Sequence, residues 1–148
     1  MSCRLSYRVW VVAVLAAMIV SCQALPFAPV APQPGATLSG PMEHTGEASE
    51  GSASSGAIEL VISSDGTSIE KAKIILQQLK CPQMSGSSAE LNYQGPWVIE
   101  AGKIDISQQE IKGKFSSPTQ ASGTLHLVAL TPDKCDLGTW NWEAAAVP

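Results

Sequence analysis

The sequence predicts an all-β fold, a single β-sandwich (immunoglobulin-like or similar) over residues 57–146. Three observations carry this expectation. Between Ala57 and Ala145 apolar residues recur at every second position in short runs. Each run is bounded by Gly, Pro, Ser, Thr or Asp, the residues that favour turns. The remaining apolar weight of a chain that is 45% hydrophobic lies in one block near the start. A length of 148 residues suits one domain with attachments. The composition, with 15% charged residues, excludes a coiled coil and a wholly disordered acidic chain.

The elements follow in order. Ile58, Leu60 and Ile62 alternate with Glu59 and Val61, and Ser64-Asp65-Gly66-Thr67 turns the chain. The next stretch is ambiguous. Thr67-Ser68-Ile69-Glu70 has the form of a capping box, and Ile69, Ala72, Ile75, Leu76 and Leu79 stand at helical spacing. As a strand it places Ala72, Ile74 and Leu76 on one face. The polar run from Pro82 to Pro96 is the longest expected loop. Trp97-Val98-Ile99 and Ile104-Asp105-Ile106 flank Ala101-Gly102 as a tight hairpin. Ile111, Gly113 and Phe115 precede a turn at Ser117-Pro118-Thr119, after which Ala121, Gly123, Leu125, Leu127 and Ala129 share a face. Thr131-Pro132-Asp133 turns again, and Gly138 to Ala144 closes the domain. Gly113 and Gly123 are expected where strands bend or approach closely, with Phe115 and Trp142 filling the core.

The chain start has a different character. Residues 1–8 hold both arginines, Arg4 and Arg8, and no acid, and Val9–Val20 is an unbroken apolar run. Twelve residues fall short of the roughly 20 a membrane-spanning helix needs, but match the core of an export signal. Ile19-Val20-Ser21-Cys22 then resembles the lipobox of bacterial lipoproteins. That resemblance implies a signal peptide over residues 1–21, cleavage before Cys22, and lipid on the Cys22 thiol. The acyl chains would hold the protein at the outer side of a membrane, the outer membrane if the cell is Gram-negative. Ordinary secretion is the alternative: Cys22-Gln23-Ala24 offers small residues for cleavage after Ala24, giving a soluble product. Residues 22–56 are expected to be a flexible tether. From Gln23 to Gly56 there are 5 Pro, 5 Gly, 5 Ser and 6 Ala among 34 residues, and the bulkier side chains show no period.

With Cys3 removed and Cys22 lipidated, Cys81 and Cys135 are an even remainder in an exported domain, which points to a disulfide. Closing a 55-residue loop would contribute about 4 kcal/mol on the chain-entropy account. Two thiols for metal or redox work are the alternative, but neither has a CxxC partner or a nearby His. Cys81, Gly102-Lys103-Ile104, the run Gly113 to Thr124, Cys135 and Trp142-Glu143-Ala144 also resemble a β-sandwich module of bacterial secreted proteins and lipoproteins. The resemblance covers roughly residues 57–146, departs at Ile104, where an aromatic is more usual, and favours strand over helix for 69–80. It implies fold and location and brings no catalytic residues.

The chemistry legible in the sequence is sparse. Ser68-Ile69-Glu70-Lys71 has the S-x-x-K spacing of penicillin-recognising enzymes, without their companion motifs. His126 is the only His within 57–146 and falls on the outward face of its strand. No cofactor, metal site or catalytic set is expected. From Cys22 onward the chain has 7 Lys and 13 acids, net −6, which disfavours nucleic acid. Trp140 and Trp142 share one face and are expected in the core, whereas Tyr93 and Trp97 are expected to be exposed and form the candidate ligand site. The expected function is that of a non-enzymatic cell-envelope lipoprotein serving adhesion, envelope contact or binding of a protein or polysaccharide ligand. The alternative is a carbohydrate-binding or polysaccharide-processing envelope protein with a site near Trp97 and Tyr93.

Overall fold

A computed structural model describes residues 28–46, 51–81, 84–129 and 135–148. Signal residues 1–21, the lipobox and Cys22 lie outside the described residues, as does the expected turn at Thr131-Pro132-Asp133. Eight strands form: β1 (Thr37–His44), β2 (Ser55–Ile62), β3 (Ser68–Cys81), β4 (Met84–Val98), β5 (Lys103–Ile106), β6 (Ile111–Ser117), β7 (Gln120–Ala129) and β8 (Cys135–Ala146). A single 3-10 turn, Ser107–Gln109, joins β5 to β6.

All-β architecture and the Cys81–Cys135 disulfide are therefore present, but the two sheets of a sandwich are not. The strands make one antiparallel sheet in the order β4-β3-β2-β1-β8-β7-β6-β5, curled into a nearly closed barrel. One face of every strand contributes to one shared core. The period-two pattern specifies which side chains point inward; it is equally compatible with two facing sheets or one curled sheet, and the pairing of β1 with both β2 and β8 decides for the latter.

Within the span 22–56, expected as a flexible tether, Thr37–His44 is instead strand β1. It sits between β2 and β8, with Leu38 and Met42 buried. Its inward positions read Leu38, Gly40, Met42, so the alternation is hidden by a glycine. A Cβ at Gly40 would collide with the carbonyl of Glu143. Pro41 also argues against a central strand. The β1–β8 ladder is interrupted at Gly40-Pro41, and Thr37 and Thr45, which share the parity of Pro41, bond toward β8. The missing N–H of Pro41 therefore falls at that break.

Residues 28–36 are also attached. Val30 packs against the core with its carbonyl 2.6 Å from where a Gly102 Cβ would stand, and Pro32 is buried. Gln33 N–H donates to the Pro118 carbonyl (2.7 Å), Gly35 N–H to that of Ser63 (2.9 Å), and Ile62 N–H to that of Ala36 (2.9 Å). This strap crosses the end of the barrel where the β2–β3, β4–β5 and β6–β7 turns meet.

Two further expectations are resolved. The run 69–80 lies in β3, and its helix-like spacing is produced by irregularities in a strand. An extra residue opposes β2 between Ile69 and Lys71, and Gln78 adopts a left-handed φ of 52°. Each shifts the phase, so Ile69, Ala72, Leu76 and Leu79 all face the core. The expected 82–96 loop is mostly β4, which pairs with β3 along nearly its whole length. Its polar and glycine content conceals an inward row of Ala89, Leu91, Tyr93 and Trp97. At Ala101-Gly102 the turn is tight (φ 50° and 72°), but beyond the Glu100–Lys103 bridge β5 leaves β4 and pairs with β6.

On the opposite wall Trp142 lies across Gly123 and Gly113 in one row of paired residues. A Cβ at Gly113 would stand 2.5 Å from the Trp142 ring, so glycine here makes room for the indole. Trp140 and Trp142 are both 1% exposed. Trp140 Nε1 donates to the Leu137 carbonyl (3.0 Å); Trp142 Nε1 has no hydrogen-bond partner among the described residues.

Candidate functional site

Among the described residues, two places on the barrel carry chemistry, and neither is an exposed aromatic loop. The first is the seam between β4 and β5, the two strands at the ends of the sheet order. Tyr93 and Trp97 stand on the inward face of β4 beside it, both half-buried and packed against the core. Burial raises the Tyr93 phenol above its ordinary pKa, which keeps it neutral and a hydrogen-bond donor. The expected exposure of these rings is corrected: the strand's alternation turns them inward, while Glu90, Asn92 and Gln94 face solvent. Outside the seam, Lys73 bonds Glu90 (3.1 Å) and Asn92 Nδ2 donates to the same carboxylate (2.9 Å). Asn92 first, then Lys73, hold the Glu90 pKa below its usual value.

The second place is built by a bulge. His126 pairs with Thr139 and Val128 with Asp136, so two steps on β7 oppose three on β8. Gly138, at φ 75°, takes the conformation that lets the chain absorb the extra residue. Asp136 and Thr139, three apart, thereby face the same side and flank His126. The imidazole Nε2 lies 3.3 Å from Asp136 Oδ1, and Nδ1 3.3 Å from Thr139 Oγ1. Asp136 Oδ1 also accepts the Gly138 N–H at 2.7 Å. A shallow depression of about 490 Å³ opens beside this cluster, lined also by Ser107, Glu110, Lys112 and Thr124. A carboxylate, an imidazole and a hydroxyl in contact can pass a proton along the line or bind a small polar group. Asp136-x-Gly138 is a turn signature, but its meeting with His126 depends on register, so the cluster had no linear signal.

The remaining expected residues are placed as follows. Cys81 and Cys135 are bonded, with Cα atoms 5.9 Å apart, joining the end of β3 to the start of β8. Gly51 lies against this bridge, donating its N–H to the Asp136 carbonyl, and a Cβ there would strike Cys135 Sγ. Cys22 is outside the described residues. No group of three or more His, Cys, Asp or Glu converges among the described residues.

Compared with known proteins, the chain matches no family model, no curated protein and no solved structure.

Proposed function

We propose that this chain is a non-enzymatic, lipid-anchored cell-envelope protein whose barrel serves adhesion, envelope contact or ligand binding outside the cytoplasm. The observation that carries the reading is the Cys81–Cys135 disulfide, a bond that persists in oxidising compartments. It agrees with the export-type segment and with Ile19-Val20-Ser21-Cys22 preceding the barrel. The similarity of 57–146 to secreted modules points the same way. A non-enzymatic role is favoured by the use of the Asp136–His126–Thr139 line to brace a bulge.

Metabolic labelling with palmitate tests the anchor. Label on the wild-type chain, lost in Cys22→Ala, is expected; an unlabelled mature product starting at Leu25 would instead mean secretion. A second reading, binding of carbohydrate, is favoured by Tyr93 and Trp97 lying together along the open seam. Retention on polysaccharide that disappears in Trp97→Ala would support it, whereas retention unchanged by that substitution would exclude this seam.

A further inference from the structure

Only six residue steps separate Cys22 from Ala28, where the described chain begins, and Val30 and Pro32 are already fixed on the barrel. At no more than ~3.6 Å per residue, six steps reach roughly 20 Å. The long spacer expected over 22–56 is therefore a short leash, and its attachment point is known. It joins the barrel at the strapped end, beside Gly102.

That end has a distinctive surface. Backbone bonds gather its parts: Gln33 to Pro118, Gly35 to Ser63, Ile99 to Thr67, Ala146 to Thr119, and Val147 to Thr37. Exposed here are Ala31, Pro34, Val98, Ala101, Pro118 and Val147. Val98 is 68% exposed and Val147 54%, the two most exposed large hydrophobic side chains among the described residues; Val128, at 38%, lies toward the other end. Charges at the strapped end include Asp65 and Glu100 and, paired across β5 and β6, Lys103 and Lys114, and so are of mixed sign. The disulfide end carries Lys80, Glu110, His126 and Asp136.

We propose that in the anchored protein the strapped end rests on the lipid bilayer, with Val98 and Val147 at the headgroup level. The disulfide end and the His126 cluster then face away from the membrane. The proposal rests on the reading of Cys22 as the lipid acceptor. Two valines on a protein whose net charge from Cys22 onward is −6 do not hold it on a membrane by themselves. The anchor supplies attachment, and the short leash supplies the high effective concentration that makes a weak contact count. Docking therefore depends on the anchor and on leash length, and it needs no anionic lipid.

The test uses the acylated full-length protein, purified from cells and placed in phosphatidylcholine vesicles containing a headgroup spin-labelled lipid. A fluorescent amino acid is introduced at Val98, at Val147 or, on the far end, at Lys80. Quenching several-fold stronger at Val98 and Val147 than at Lys80 is expected. Inserting about 20 Gly/Ser residues between Gln23 and Ala24 should reduce that difference. Equal quenching at all three positions, with palmitate on Cys22, overturns the orientation and leaves the anchor standing. Absence of palmitate overturns the anchor reading and the orientation with it. Shielding of Val98 and Val147 that follows protein density and not quencher content would identify a second copy at this face and overturn the lipid assignment.

Discussion

The two ends of the barrel are closed by different means. At one end Cys81–Cys135 joins β3 to β8 covalently, with Gly51 packed against the sulfur. At the other, residues 28–36 cross three turns, held by scattered backbone hydrogen bonds and the packing of Val30 and Pro32. The covalent closure acts chiefly by restricting the unfolded chain, so its effect scales with loop length. The strap acts only in the folded state, by burying surface and satisfying turn amides. Opening the disulfide end should therefore loosen the whole barrel, whereas opening the strapped end should destabilise locally and alter where the chain leaves the fold.

The largest effect is expected from replacing both bridge cysteines. Cys81→Ser with Cys135→Ser should cost about 4 kcal/mol, read as a lower denaturant midpoint in the mature chain. A loss below about 1 kcal/mol would mean that non-covalent contacts at that end, such as Gly51 N–H to the Asp136 carbonyl, close it without the bond. Next comes removal of the strap. A chain starting at Thr37 should lose about 2 kcal/mol, from partial burial of Val30 and Pro32 and the turn contacts of Gln33 and Gly35. Gly102→Ala should follow at about 1–2 kcal/mol, because φ is 72° and the added methyl meets the Val30 carbonyl. In the strapless chain the carbonyl is gone, so the same substitution should cost less; equal costs would separate Gly102 from the strap.

The smallest effect concerns acid. Asp65, in the β2–β3 turn at the strapped end, accepts hydrogen bonds from the Ser63 hydroxyl (2.6 Å) and from the backbone N–H (3.0 Å) and hydroxyl (2.8 Å) of Thr67. These bonds, Ser63 first, lower its pKa from 3.8 to about 2. A folded-state pKa below the unfolded one stabilises the fold above the unfolded value, and that contribution disappears as pH falls from about 4 through 2. Asp65→Asn should flatten this part of the pH–stability curve slightly while leaving the response to reductant unchanged. An unaltered acid slope would show that other carboxylates set it.

The contrast between the ends also explains what could be read from residues. The disulfide was legible because Cys81 and Cys135 are the two cysteines left once Cys3 is assigned to the expected signal segment and Cys22 to the expected lipid site. The strands from β5 to β8 were legible because their inward positions are nearly all apolar, as at Ile104, Ile111, Phe115, Leu125 and Trp142. β1 and the strap were not, since glycine and proline occupy positions where local preference argues against ordered structure. Neighbouring strands override that preference: Gly40 accommodates the Glu143 carbonyl, and Pro41 coincides with a break in the ladder. β4 was hidden in the same way by serines and glycines, and its 15 residues are ordered by pairing with β3. The sandwich expectation failed for a related reason, because without β1 nothing joins β2 to β8. At the candidate site, Tyr93 and Trp97 were expected to be exposed beside a polar loop, but the alternation of β4 turns them toward the core. The His126 cluster required the bulge at Gly138, a property of register that no linear spacing encodes.

Residues whose Gly and Pro content suggests a linker form the strand that unites the sheet. Amide hydrogen exchange in the mature chain tests it most directly. Leu38, Gly40 and Met42, whose parity directs them toward β2, should be protected to the same degree as Ile58 and Leu60 in β2 and Trp142 in β8. Exchange at those β1 amides as fast as in an unstructured peptide, with β2 and β8 still protected, would contradict the single-sheet barrel.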